Sequence, residues 1–398
     1  MKSTQPQNGS TDISPVYPTM LQIFLAFLRL GITAFGGPAM VAYIGEMATT
    51  KRQWLSKESF KEGVAIAQTI PGAMAMQVAA YVGLRLRGIS GALAAYVGFG
   101  LPGFVLMIIL SVLYRYSLNS PVMTSVFQGL QIIVVAIIAR AAFTFGRTII
   151  KAWQDILIGL AAATYLVYGG NPILAIIAGA ALGLFIFKEG TISNESDKTS
   201  PLRSTTRPVL LIILIAFIML SGLYFLNRKL FDISFLMLKA DTFAFGGGFA
   251  SIPVLLHEVV EVRNWMSTRA FMDGIAMGQV TPGPIVVTAT FVGYQVAGTA
   301  GALFATFYIY FPSFVFMTLV VPHFDRMKAN PLFRKATRGI LASFVGLLLA
   351  VTLRFGIAVP WTYISVFFVC GAFIALMLKV EVPWVIITGA IVSMIVFR

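Results

Sequence analysis

The 398-residue chain has one cysteine, Cys370, and two histidines, His257 and His323. A lone cysteine excludes an intramolecular disulfide and any thiolate metal cluster. The histidines fall in loops without metal-ligand spacing, and there is no HExxH, no nucleophile elbow and no GxxxxGK[ST] phosphate loop. Neither a metal nor another cofactor is expected, and neither is direct use of ATP. Charge is scarce as well. Only 11% of the residues are charged, against about 25% in soluble proteins. With 58% hydrophobic residues and a mean hydropathy of +0.87, the apolar surface exceeds what one soluble core covers. The composition is that of an integral membrane protein.

Acidic residues are the scarcer kind: 15 against 29 Lys and Arg, a formal charge of +14. In a soluble protein that excess would suggest nucleic acid. Here the cations gather in short loops between apolar runs, as orientation determinants do, so no nucleic-acid partner is expected. Residues 1–18 form a polar tail without the basic-then-apolar pattern of a cleaved signal peptide. Apolar spans follow at 19–36, 63–83, 89–114, 122–145, 154–168 and 171–187. A polar linker from Lys188 to Arg207 and a lone span at 208–226 come next. The remaining spans lie at 231–249, 270–296, 299–321, 336–356, 360–378 and 382–397.

The two sets repeat at an offset of 210 to 211 residues. Ala34-Phe35-Gly36-Gly37 returns as Ala244-Phe245-Gly246-Gly247, and Trp54 and Ser56 return as Trp265 and Ser267. Gln68 with Pro71-Gly72 returns as Gln279 with Pro282-Gly283. Trp, Gln, Pro and Gly in order at one offset establish an internal duplication. The organisation is a tail at 1–18, a first repeat at 19–187, a linker with an extra span at 188–229 and a second repeat at 230–398. Six spans per copy and one between them place the copies in opposite orientations. The expected fold is an all-α polytopic membrane protein: an inverted repeat of about 13 transmembrane spans, with helices broken at the Gly-Gly and Pro-Gly motifs. With the N-terminus inside, this count puts 17 Lys and Arg inside and 9 outside, with Arg29, Arg140 and Lys239 within the membrane. The loop holding Lys51, Arg52, Lys57 and Lys61 runs against that bias.

Arg29 and Lys239 sit in apolar segments, each seven residues before a glycine pair. An intramembrane cation costs at least ~2.5 kcal/mol on insertion scales and marks a functional hypothesis. Gly36-Gly37-Pro38 and Gly246-Gly247-Gly248 suit an abrupt helix break whose exposed N–H groups bind an anion. Close helix packing is the competing role for the glycines, and snorkelling for the cations. Pro71-Gly72 and Pro282-Gly283-Pro284 interrupt the second span of each copy, with Gln68 and Gln279 one turn earlier. Thr69, Thr281 and Thr288 add hydroxyls. Asp241, equivalent to Gly31, either relays protons or neutralises Lys239. Arg140 is read as structural or as an auxiliary charge.

The Phe-Gly-Gly motif, the Trp-Xaa-Ser loop and the Gln-Xaa-Xaa-Pro-Gly break, in that order and twice, resemble the chromate ion transporter family in its long, two-domain form. The second copy fits best, with its His257-Glu258-Val259-Val260 run and full Pro282-Gly283-Pro284. Met40-Val41 and Pro71-Gly72-Ala73 depart from the family pattern. The resemblance implies chromate efflux across the cytoplasmic membrane and chromate resistance. The residues by themselves reach a secondary transporter for a small oxyanion, with sulfate as the competing substrate and a membrane scaffold or enzyme as the alternative class. The partners expected are such an oxyanion and membrane lipids, with a homodimer left open.

Overall fold

The computed structural model describes residues 18–117, 120–187 and 206–397. Residues 1–17 of the polar tail, residues 118 and 119, the linker as far as residue 205 and Arg398 lie outside the described residues. Among the described residues the chain is helical throughout, with no strand. The first half comprises α1 (Met20–Thr33), α2 (Gly37–Gly45), α3 (Lys57–Thr69), α4 (Met74–Ser117), α5 (Pro121–Ile149), α6 (Trp153–Val167) and α7 (Pro172–Ile186). After α8 (Thr206–Leu226) the second half comprises α9 (Arg228–Thr242), α10 (Ser251–Leu255), α11 (Thr268–Val280), α12 (Thr288–Val320), α13 (Phe324–Ala329), α14 (Pro331–Ala358), α15 (Tyr363–Met377) and α16 (Val382–Val396). Helices α2 and α10 each run on into a π-helical turn, Glu46–Lys51 and Leu256–Val262.

Local chemistry explains the repeated punctuation. Ser56 and Ser267, the serines of the Trp-Xaa-Ser loops, are N-caps that accept the N–H of Ser59 and Ala270 and so start α3 and α11. Gln53 and Asn264 just before them take the same left-handed turn, at φ +52° and +51°. Helices α4 and α12 bend at one shared position: Arg87-Gly88 and Ala297-Gly298 leave helical geometry with φ/ψ values that agree within 4°. The duplication is thus written in the backbone.

Five helical stretches are long and apolar enough to cross a membrane: Met74–Ser117, Pro121–Ile149, Thr206–Leu226, Ile285–His323 and Pro331–Ala358. The expected count of about 13 is not reached by helices of that length. One reason is that the first two expected spans of each half are helical hairpins. Helix α1 has 14 residues, about 21 Å, where the hydrocarbon core is about 30 Å thick. The chain then turns at Gly36 and α2 runs back, so that Gly45 meets Phe60 near the start of α3. Helix α3 turns at Pro71-Gly72, and the first part of α4 returns beside it. Glu62 there accepts from Tyr81 (3.0 Å) and Arg85 (2.7 Å), and Arg87 donates to Pro18 O (2.9 Å). Both ends of both hairpins therefore share one side. In the second half Lys239 of α9 pairs with Glu258 of the returning arm, and Gly274 of α11 lies against Phe291 of α12. Hydropathy does not distinguish a helix that passes through a Pro-Gly break from one that reverses there.

The halves are intertwined. Helices α6 and α7 pack on α14 of the second half, and α15 and α16 pack on α5 of the first. Buried Asp155 at the start of α6 takes the guanidinium fork of Arg338 at 2.9 and 2.8 Å. Helices α4 and α12 are equivalent and in contact, and they run antiparallel. Tyr96 donates to Tyr310 O (2.6 Å), and Tyr114 meets the Phe291 ring edge-on at 5.1 Å.

Candidate functional site: four hairpin tips at the centre

The four hairpin tips meet tip to tip. The N–H of Gly72 donates to Ala244 O (3.0 Å), and the N–H of Gly283, its equivalent, donates to Ala34 O (3.2 Å). The Pro-Gly tip of each half therefore caps the end of the other half's first helix, just before Phe35-Gly36 and Phe245-Gly246. The turns need positive φ: +78° at Gly36, +98° at Gly246, +97° at Gly247, +121° at Gly72 and +108° at Gly283. Pro71, Gly72, Pro282, Gly283 and Pro284 are buried.

Each returning arm begins at this junction. Helix α2 starts at Gly37 with Pro38 in its first turn, and α4 starts at Met74. In the second half, 3-10 turns at Gly248–Ala250 and Ile285–Val287 lead into α10 and α12. First-turn N–H groups have no intrahelical acceptor and carry the positive end of the helix dipole, which favours anions. A Cβ placed at Gly247 or Gly283 would meet nothing within 4 Å, although both residues are buried. There is room beside these two glycines.

The junction is not symmetric in its side chains. Asp241, 0% exposed, accepts from Ser313 N–H (2.9 Å) and Ser313 Oγ (2.6 Å), and Ser313 Oγ in turn accepts the Ala73 N–H (2.8 Å). A carboxylate of one hairpin thus reaches the Pro-Gly tip of the other half through a single serine. The equivalents of Asp241 and Ser313 are Gly31 and Gly103. Gln77 donates to Pro71 O (2.5 Å) behind the same tip. Asp241 Oδ1, Gln77 Oε1 and Gln279 Nε2 are buried without a protein partner. Such groups call for a bound species or a proton.

This arrangement corrects one expectation. Asp241 is not the charge partner of Lys239, whose ammonium pairs with Glu258, with Arg263 3.6 Å from the same carboxylate. The neighbouring turn carries a second group, in which His257 contacts Glu261 (2.9 Å) and Arg354 pairs with Glu261. Arg29, equivalent to Lys239, is exposed. Of the two glutamines, Gln279 is buried and Gln68 exposed, so equivalence in sequence does not carry over to surroundings. Ser313 and Gln77 carry no motif in the sequence, and Glu258 stands there only in the His257-Glu258-Val259-Val260 run, with nothing to pair it with Lys239. The signal for Ser313 was the same broken symmetry that singled out Asp241: a polar residue where the other copy has glycine.

The chromate transporter family model matches the chain twice, at residues 21–184 and 231–394. An uncharacterized transporter from Methanocaldococcus jannaschii is 40% identical over 382 residues, 95% of each chain. A chromate transport protein from Cupriavidus metallidurans is 32% identical over 354 residues, 87% of this chain and 86% of its own. An uncharacterized transporter from Bacillus subtilis is 31% identical over 184 residues, 44% of this chain but 91% of its own, so the half-unit also occurs in a shorter chain. No solved structure gives a significant match. With both halves matched by one family model, this integral membrane protein belongs to the chromate transporter family and is a transport protein rather than an enzyme.

Proposed function

We propose that the chain is a secondary transporter that moves chromate out of the cell across the cytoplasmic membrane and so confers chromate resistance. The observation that carries this reading is the meeting of four hairpin tips, with their helix beginnings, inside a chain of this family. Backbone N–H groups at these tips replace part of the hydration shell of a tetrahedral dianion. The binding set is Arg29, Gly36, Gly37, Pro38, Gln68, Pro71 and Gly72 with Lys239, Gly246, Gly247, Gly248, Gln279, Pro282, Gly283 and Pro284. Arg29 lies two turns from one tip and Lys239, its charge paired with Glu258, two turns from another, and Asp241 is the site of any proton coupling. Sulfate is the second reading, because N–H groups read charge and shape and not the central atom. A dianion leaving a negative-inside cell gains about 4.6 kcal/mol per 100 mV, twice the unit-charge value. Export therefore needs no ATP. In oriented proteoliposomes an imposed potential should change the initial chromate flux without a pH gradient, and sulfate should compete. No chromate flux under any potential rejects the reading.

The topology we propose is multi-pass and inverted. Equivalent helices related by a two-fold axis run antiparallel, as α4 and α12 do, only if the axis lies across them. For membrane-crossing helices that axis lies in the membrane plane. In this topology the hairpins turn back, with Lys51, Arg52, Lys57 and Lys61 on the N-terminal side and Arg263 and Arg269 on the other. The division of Lys and Arg then changes from 17 and 9 to 19 and 7. This removes the main objection to a cytoplasmic N-terminus. Reporters inserted after Arg52 and fused after Arg207 should give the same signal, and a fusion after Arg398 the opposite one. An opposite signal at Arg52 would mean that α1 and α2 cross the membrane.

A further inference from the structure

A cavity of about 240 Å³ lies away from the tips, between the end of α4, the start of α5 and α11. Its lining includes Ser117, Thr124, Gln128, Gln131, Arg269 and Asp273. That volume is many times what one water needs. Residue 117 ends α4, 124 is in the first turn of α5 and 269 begins α11, so the cavity sits at the base of the second half's hairpin, on the side opposite Pro18 and Arg87. Its lining is not repeated at the equivalent positions: the counterparts of Gln131, Arg269 and Asp273 are Leu341, Glu58 and Glu62.

The inner end of the cavity is closed by side chains. Asp273, 4% exposed, accepts from Tyr114 Oη (2.9 Å) and from Gln131 Nε2 (2.8 Å), so each carboxylate oxygen has a donor. Held there, Tyr114 packs edge-on against Phe127 at 5.0 Å and Phe291 at 5.1 Å. Met107, Met277 and Val287 complete a buried apolar cluster around Tyr114 and Phe291. Directly beyond it, Gly103 approaches Pro282 O and Val287, at the tip. In order from the surface come a chamber whose hydroxyls, amides and one cation share its walls with Phe127 and Pro360, an aromatic and methionine plug, and the junction with its helix beginnings. Asp273 lies one turn after Arg269 on the same face of α11, and its oxygens are taken up by Tyr114 and Gln131.

We propose that this chamber is the vestibule through which the oxyanion passes between the hairpin-tip junction and the membrane face opposite the N-terminus, with Tyr114 latched on Asp273 as the gate between them. The proposal rests on the transport reading above. It assigns that reading a route, which the tips alone do not define. The hydroxyls and amides of the chamber, with its one cation, solvate the ion up to the plug. The plug keeps the route dry when closed, and releasing one hydroxyl frees the ring that fills it.

Cys370→Ser removes the lone thiol, which is exposed on α15 and outside the chamber. In that background Gln128→Cys is treated in sealed proteoliposomes with a negatively charged, impermeant thiosulfonate added from the face opposite the N-terminus. Labelling should cut chromate flux at least tenfold, and sulfate should slow the labelling. Tyr363→Cys, exposed on the same side, should label without effect on flux. Because the label is added after folding, misfolding does not confuse the result. Met107→Cys, inside the plug and packed with Tyr114, should label slowly, and Tyr114→Phe should speed that labelling at least fivefold. Complete labelling at residue 128 with unchanged flux overturns the vestibule, and an unchanged rate at residue 107 overturns the gate. Failure of the transport reading looks different, since the unlabelled Cys370→Ser protein would then carry no chromate at all.

Discussion

Gly72→Ala should abolish transport and deplete folded protein, while Gly283→Ala should fold and transport at a reduced rate. The two glycines are equivalent in the repeat, and both hold a φ, +121° and +108°, that an L side chain adopts only under strain of about 1–3 kcal/mol. Their surroundings differ. A Cβ at Gly72 would lie 2.1 Å from Ser313 Oγ and 2.7 Å from Gln77 Nε2, whereas one at Gly283 meets nothing within 4 Å. Displacing Ser313 costs its bonds to Asp241 and Ala73, about 1 kcal/mol or more each, so Gly72→Ala loses on the order of 4 kcal/mol in all. That is a large part of the 5–15 kcal/mol that typically holds a protein folded. Thermal unfolding in detergent and flux in proteoliposomes check both variants. Equal stability of the two would show that the Ser313 contact is not what confines Gly72.

The second large effect concerns Asp241. Asp241→Asn keeps an oxygen that accepts both Ser313 donors but cannot exchange a proton. It should therefore stay folded and respond to potential while losing its response to a pH gradient. Asp241→Ala leaves the Ser313 hydroxyl without its acceptor at a buried junction, a cost of about 1–3 kcal/mol, and should lower flux at least tenfold as well. Measuring initial rates under a potential and under a pH gradient separates the two variants. A pH-gradient response that survives Asp241→Asn removes this residue from proton coupling.

Composition and the ordered recurrence of Trp, Gln, Pro and Gly determined by themselves that this is a helical membrane protein built from two copies of one unit. They also determined where its helices break, because Gly and Pro act on the backbone locally, whatever surrounds them. Ser56 and Ser267 could be read as motif and then as N-caps for the same reason. Tertiary structure alone decided what each break does. Whether α3 continues past Pro71-Gly72 or reverses depends on an N–H···O bond from Gly72 to Ala244, more than 170 residues away, and on Gly283 returning the same bond to Ala34. Hydropathy averages over a window and is blind to such a partner, so it does not tell a hairpin that turns back from a pair of spans. The same limit applied to charge. Lys239 and Asp241 stand two residues apart, but successive helical positions differ by 100°, which sends one to Glu258 and the other to Ser313.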